Sequence, residues 1–213
     1  MSKQGFIMIK KLLKILTSLF LAGCSMVGAR TSEEAPFTVL LENGDIQIRQ
    51  YQELLVAETV IDADYANSGS IGFNRLAGYI FGKNISQDKI AMTTSVFREQ
   101  DSEKIAMTAP VLQQQTGAKW IMSFVMPADY TLSTLPKPID PLVSIKQIPG
   151  KKVAVLKYSG SINEQVIAEK TNVLTAWLVQ NHYQILSKAR SAAYDPPWTI
   201  PSLRRNEVHI DVE

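Results

Sequence analysis

Covalent and acid–base catalysis need nucleophiles, bases or metal ligands at close quarters, and this 213-residue chain supplies few of them. It holds one cysteine, Cys24, and two histidines, His182 and His209, with no metal-ligand spacing between them. Neither a nucleophile elbow nor a phosphate-binding glycine loop occurs. Asp62 and Asp64, two apart at a predicted strand end, share a face and read as surface acids rather than as a general acid and base. His182 follows the expected end of a helix, a position that favours an imidazole. Alternation in Glu207-Val208-His209-Ile210-Asp211 groups His209 with acids on the expected solvent face. The chain therefore reads as a binding protein rather than an enzyme, with no metal ligand assigned and Met92 or Met107 left as open alternatives for soft ligation.

Cys24 has a different chemistry available. Lys3, Lys10, Lys11 and Lys14 precede an apolar run over residues 15–21 that closes in Leu21-Ala22-Gly23-Cys24. A basic segment, an apolar segment and small residues before a cut are the three parts of an export signal. The apolar residues 12–21 are too few for the roughly 20 that span a bilayer. Residues 1–23 resemble a bacterial lipoprotein signal peptide, whether the chain starts at Met1 or Met8. That resemblance implies that Cys24 is acylated, becomes the first residue of the mature chain and tethers it to a membrane of the cell envelope. Several acyl chains, at about 0.8 kcal/mol per buried methylene, hold a domain firmly. Ser25 stands where an Asp would favour retention at the inner membrane, so the periplasmic face of the outer membrane is the expected location.

Four of the 22 basic residues and none of the 20 acidic ones precede Cys24, so the mature chain carries 18 against 20 and a formal charge of −2. No basic run remains to track a phosphate backbone, and nucleic acid is not an expected partner. Residues 24–36 are polar and small and read as a tether, and residues 37–213 suffice for one domain with a real core.

The positioning elements follow from periodicity. Ile46-Gln47-Ile48-Arg49 and Val56-Ala57-Glu58-Thr59-Val60 alternate as half-buried strands do. Phe73, Leu76, Ala77 and Ile80 predict a helix over residues 70–81 that stops at Gly82. Ser161 and Glu164 form a capping-box pattern ahead of a stripe of Val166, Val173, Leu174 and Trp177 that ends near Asn181. At an offset of 97 residues Ile48, Arg49, Gln50, Val56 and Ala57 fall on Ile145, Lys146, Gln147, Val153 and Ala154. The same shift places Leu76, Ile80 and Phe81 on Val173, Trp177 and Leu178. This is a degenerate repeat of hairpin, helix and strands, and it predicts an α+β domain whose two antiparallel halves meet about a pseudo-twofold axis.

A shorter duplication, with a period of 15 residues, relates Asp88-Lys89-Ile90-Ala91-Met92-Thr93 to Glu103-Lys104-Ile105-Ala106-Met107-Thr108. Alternation makes each copy a strand, residues 88–96 and 103–111, with residues 100–102 as the reversal. Met92 and Met107 then face one layer, as core packing or as the lining of a slot for a flat apolar ligand.

Three motifs in order carry a wider resemblance: Leu76-Ala77-Gly78-Tyr79-Ile80-Phe81-Gly82-Lys83-Asn84, then Lys104-Ile105-Ala106-Met107-Thr108-Ala109-Pro110-Val111, then Tyr194-Asp195-Pro196-Pro197-Trp198 with Arg204-Arg205-Asn206-Glu207-Val208. From about residue 36 to the end the chain resembles the SOUL haem-binding family. The resemblance implies a distorted antiparallel β-barrel of two pseudo-symmetric halves flanked by two main helices. It also implies non-covalent binding of haem or another porphyrin in an apolar cleft beside the first helix. On that helix Phe73, Leu76 and Ile80 share a face, Tyr79 lies to its side, and Arg75 and Lys83 are placed to reach a carboxylate. Packing of Leu76 and Ile80 against the sheet is the alternative.

The proline-rich residues 194–201 predict an ordered loop pinned by Tyr194 and Trp198, and Arg204, Arg205 and Glu207 an ion-pair cluster in which Arg204 is on the opposite face from the other two. The expected function is reversible tetrapyrrole binding for buffering, transport or sensing. An envelope protein partner at the same cleft, or another apolar effector, is the alternative.

Overall fold

The computed structural model describes residues 32–87 and 102–213. Its elements in chain order are β1 (Phe37–Asn43), β2 (Ile46–Tyr51), β3 (Leu54–Ile61), α1 (Tyr65–Ile80), β4 (Asn84–Ile85), β5 (Val111–Thr116), β6 (Lys119–Val125), β7 (Lys137–Pro138), β8 (Val143–Ile148), β9 (Lys151–Tyr158), α2 (Glu164–Gln180), β10 (Arg190–Ala193) and β11 (Asn206–Asp211). Among the described residues nine strands make one antiparallel sheet, β1-β2-β9-β11-β10-β5-β6-β3-β8, curled into a half-barrel, while β4 pairs with β7 apart from it. This is the predicted α+β, distorted-barrel architecture.

The strand order explains the repeat. β2 pairs with β9 and β3 with β8, so each half lends its first strand to the second strand of the other. Ile48 lies opposite Ala154 and Ile145 opposite Ala57, while Gln50 faces Lys152 and Gln147 faces Leu55. Each pair is the image of the other under the 97-residue shift. The axis passes between β5 and β10, where Leu112 faces Ala192. The predicted hairpin of β2 with β3 does not form. Gln52-Glu53 carries no residue suited to the positive φ of a tight hairpin turn, whereas the β5–β6 turn has Gly117 at φ 60°.

Both helices cover the same face of the sheet. α1 begins at Tyr65, earlier than predicted, because the Asp64 side chain accepts a hydrogen bond from the Asn67 N–H at 2.9 Å. It ends at Ile80, with Gly82 at φ 115° completing the stop. α2 is capped by Asn163, whose side chain accepts from the Val166 N–H at 2.9 Å, and not by Ser161. The strand-to-helix connection is longer in the second half, and this moves the helical phase. Leu76 and Ile80 correspond in burial to Leu174 and Leu178, one residue past the shift, while Val173 is 48 % exposed.

Leu76, Tyr79 and Ile80 pack with Ala57, Ile61 and Phe124 beneath α1, and Leu174 and Leu178 pack with Ile48, Ala154 and Val208 beneath α2. Each such buried side chain contributes about 1.5–3 kcal/mol. On the opposite, inner face Tyr51, Val56, Val125, Val153 and Val155 form a third cluster.

Two further expectations are revised. Residues 103–110 do not form a strand: Ile105 donates its N–H to the Ile80 carbonyl, and the Asn84 side chain bonds the Glu103 backbone, so the segment follows the end of α1 until β5 begins. The first copy of that motif, with Met92, lies outside the described residues. The fold also starts before residue 37. The Glu33 carbonyl accepts from the Ala109 N–H at 2.9 Å, and Ala35 is buried in the inner cluster.

Candidate ligand site

The helix-borne residues separate into three groups. Leu76, Tyr79 and Ile80 are 0–1 % exposed, and the Tyr79 hydroxyl donates to the Pro136 carbonyl at 2.8 Å. They are core residues, as the packing alternative holds, and stand behind the surface a ligand would touch. Phe73 and Met107 pack at the margin of the same core, Phe73 edge-on to Phe124 at 5.5 Å. Lys83 is exposed beyond the helix end with its stem against Gly78, where an added Cβ would meet Lys83 Cδ at 3.1 Å. Arg75 alone turns sideways: its guanidinium donates to Thr59 Oγ1 at 2.7 Å and stands 3.6 Å from Asp140.

Arg75 borders a groove of about 470 Å³ between α1, the end of β3 and the residue before β8. Val60, Ile61, Ile71 and Leu142 wall it, and Lys119 and Asp62 also line it. Ile71 and Leu142 are 39 and 57 % exposed and supply apolar side chains to this surface, while Val60 contributes the backbone carbonyl that Arg75 bonds at 3.3 Å. Lys119 reaches Asp62 at 3.3 Å with both side chains in solvent, so this pair, like Arg75–Asp140, is a weak one. Sequence reasoning reached Arg75 and missed Val60, Ile71, Lys119 and Leu142. A signal for one was present: Ile71 lies four residues before Arg75, off the core stripe and on the same flank of the helix.

The inner face offers a second kind of site. Its cavity, between Val56, Leu112, Val125, Ile148 and Val153 with His209 and Arg190 also lining it, has about 140 Å³, below the roughly 300–1,000 Å³ of ordinary ligand pockets. Beside it lies a buried charge network. Arg49 donates two hydrogen bonds to Glu207 at 2.9 Å, Tyr194 donates to Glu207 at 2.7 Å, and Arg205 joins Glu207 to Glu34 at 2.9 Å on each side. His209, expected in solvent, is 3 % exposed with Nε2 2.7 Å from Glu207. The curl of the sheet covers the face that alternation had assigned to water. Burial opposes ionisation of Glu207, but hydrogen bonds from His209 and Arg49 together with the Arg49 charge outweigh it and hold the carboxyl well below its usual range. Burial pushes the His209 imidazole down, so it stays neutral and donates. Arg205 and Glu207 are paired as expected, and Arg204 stands apart, donating to the Thr199 and Pro197 carbonyls at 2.7 and 2.6 Å. Trp198 is 65 % exposed, so Tyr194, not Trp198, pins the proline-rich loop.

A tetrapyrrole presents a flat apolar ring and anionic side chains. The α1 groove offers both kinds of contact, with Ile71 and Leu142 for the ring and Arg75 and Lys119 for the carboxylates. It offers no histidine to iron: His182 is exposed past the end of α2 at φ 61°, and His209 is on the inner face. Among the described residues no group of three or more His, Cys, Asp or Glu side chains is placed to hold a metal ion.

A pseudo-twofold half-barrel with exchanged first strands and one helix per half defines the fold class. The chain belongs to the SOUL heme-binding protein family, whose sequence profile matches residues 32–211, and that membership supports tetrapyrrole binding in general terms. Among solved structures it is similar to the EcmrR C-terminal domain, with a TM-score of 0.55 at 12 % identity over 79 % of this chain and 96 % of that one. It is also similar to a hydrolase from Listeria innocua, with a TM-score of 0.52 at 10 % identity over 82 % of this chain and 94 % of that one. At such identities the likeness is one of fold. A search of curated protein sequences finds no match.

Proposed function

We propose that the protein reversibly and non-covalently binds haem or a related anionic tetrapyrrole in the groove beside α1, while acylated Cys24 holds it on the periplasmic face of the outer membrane. The observation that carries this reading is an exposed apolar groove with Arg75 and Lys119 among its lining residues. Ile71 and Leu142 exclude water from one face of the ring, and burial of apolar area supplies most of the affinity. Arg75 and Lys119 exchange Asp140 and Asp62 for ligand carboxylates, and the exchange costs little because the Lys119 pair is solvent-screened and the Arg75 pair is long, at 3.6 Å. Haem, when bound, supplies iron chemistry, and the chain supplies no histidine beside it. Binding without a strong axial bond suits buffering, transport or sensing.

The test is a haemin titration of the full chain followed at the Soret band. A saturable change in the wild type, weakened about tenfold in Arg75→Ala/Lys119→Ala by loss of roughly 1.4 kcal/mol, is expected. Partitioning no different from that of an unrelated apolar protein, or an unaltered double variant, contradicts the reading.

A further inference from the structure

The axis that duplicates the strands also duplicates the groove. Val60, Ile61 and Asp62 map by the 97-residue shift onto Lys157, Tyr158 and Ser159, and Leu142 maps onto Asp45. All four images line a second groove, of about 640 Å³, beside α2. By the register that sets Leu76 on Leu174, Arg75 corresponds to Val173, and Lys170 joins Val173 in lining the groove from α2, while Arg205, just ahead of β11, corresponds to Lys119 at the start of β6. Two grooves in equivalent positions thus differ in chemistry. Lys157 replaces Val60, Lys170 adds a cation from α2, Arg204 joins Arg205, and Asp45 is the single acid among the residues that line the groove.

These cations are not equally committed. Arg205 is held between Glu34 and Glu207. The Arg204 guanidinium donates to the Thr199 and Pro197 carbonyls, which fix its position without neutralising it. Lys157 reaches Glu42 at 3.5 Å and Lys170 reaches Glu169 at 2.8 Å, but those carboxylates are 58 and 62 % exposed, and such pairs yield to a stronger anion. Val173 and Leu203, 48 and 43 % exposed, supply an apolar wall. Tyr158 lines the groove too, and its hydroxyl is buried without a hydrogen-bond partner among the described residues, an unused donor.

We propose that the groove beside α2 is a second ligand site, taking an anionic group of two or more charges carried on an apolar body. A dicarboxylate porphyrin and the phosphate headgroup of an anionic lipid both present that chemistry. The proposal rests on the symmetry and the charge of this groove, independently of tetrapyrrole binding beside α1.

The experiment compares the full chain with Lys157→Glu/Lys170→Glu, using three probes: metal-free protoporphyrin, inorganic pyrophosphate, and vesicles of phosphatidylglycerol against phosphatidylcholine. At least one probe is expected to bind about tenfold more weakly to the variant, and which one does so identifies the source of the anion. Porphyrin binding beside α1 persists in the variant, because Arg75 and Lys119 are intact. If the double variant fails to fold, Lys170→Gln alone is compared with the wild type in the same way. A wild type that binds no porphyrin removes the reading of the α1 groove, while pyrophosphate and vesicles still decide this one. Identical behaviour of wild type and variant toward all three probes, including no binding at all, overturns the proposal.

Discussion

The helix-bearing face of the sheet is buried by apolar packing, whereas the inner face joins an apolar cluster to a buried charge network. Under the helices, Leu76, Ile80, Leu174 and Leu178 meet Ala57, Phe124, Ile48 and Ala154, and stability there comes from apolar area. On the inner face Arg49, Glu207 and His209 are 1, 0 and 3 % exposed, and the Glu207 charge survives because Arg49, Tyr194, Arg205 and His209 all bond it. The difference teaches that the helix-bearing face tolerates a new surface at its margins, where the two grooves lie, while the inner face is closed by a network that admits no missing member.

Breaking the network has the largest expected effect. Glu207→Ala leaves Arg49 buried and unpaired and should cost about 3–5 kcal/mol in urea unfolding, while Arg49→Met/Glu207→Leu should recover most of it. A loss below about 1 kcal/mol for Glu207→Ala would show that the inner charges are hydrated and would erase the contrast. The apolar face is next. Leu76→Ala and its pseudo-twofold counterpart Leu174→Ala should each cost about 2–5 kcal/mol, with Leu76→Ala at the lower end because Met122 and Met126 share its cluster and can shift toward the cavity.

A pH series separates the faces without a cavity. The folded pKa of His209 is lowered, so the native state binds fewer protons than the unfolded one below about pH 6.5. Stability is therefore full above that pH and falls as pH drops, by at most about 1.4 kcal/mol per unit. Glu207, also depressed, adds its own loss below about pH 4.3. His209→Gln should flatten the melting temperature between about pH 6.5 and 4.5 and leave the steeper acid limb. An unchanged slope in the variant would place the titration elsewhere. The smallest effects are at the helix starts: Asp64→Ala and Asn163→Ala should each cost about 1 kcal/mol, and Ser161→Ala under about 0.5, by thermal melting.

The helix-bearing face was the legible one. Periodic Leu76 and Ile80 announce a core stripe, and the 97-residue match of Ile48 with Ile145 and Ala57 with Ala154 proved to be an exact symmetry of strand pairing. The helical phase was not legible, because a longer strand-to-helix connection in the second half moves Leu174, not Val173, under the helix. Alternation shows that Glu207, His209 and Asp211 share a side but not whether that side is covered, and their acidity suggested water. Arg49, the partner that makes burial tolerable, is 158 residues away from Glu207, a pairing local pattern cannot supply. For the candidate site, Arg75 was readable from helical position, whereas Leu142 and Lys119 reach the groove only through the sheet's topology.

The central claim is that the tetrapyrrole binds on the helix-bearing side and not against the inner face. The direct measurement is the affinity of metal-free protoporphyrin for wild type, Ile71→Asp and His209→Gln, read by fluorescence. Binding about tenfold or more weaker in Ile71→Asp, with His209→Gln within about twofold of wild type, is the predicted result. The reverse order, with His209→Gln crippled and Ile71→Asp unaffected, would contradict it and move the ligand to the inner cavity.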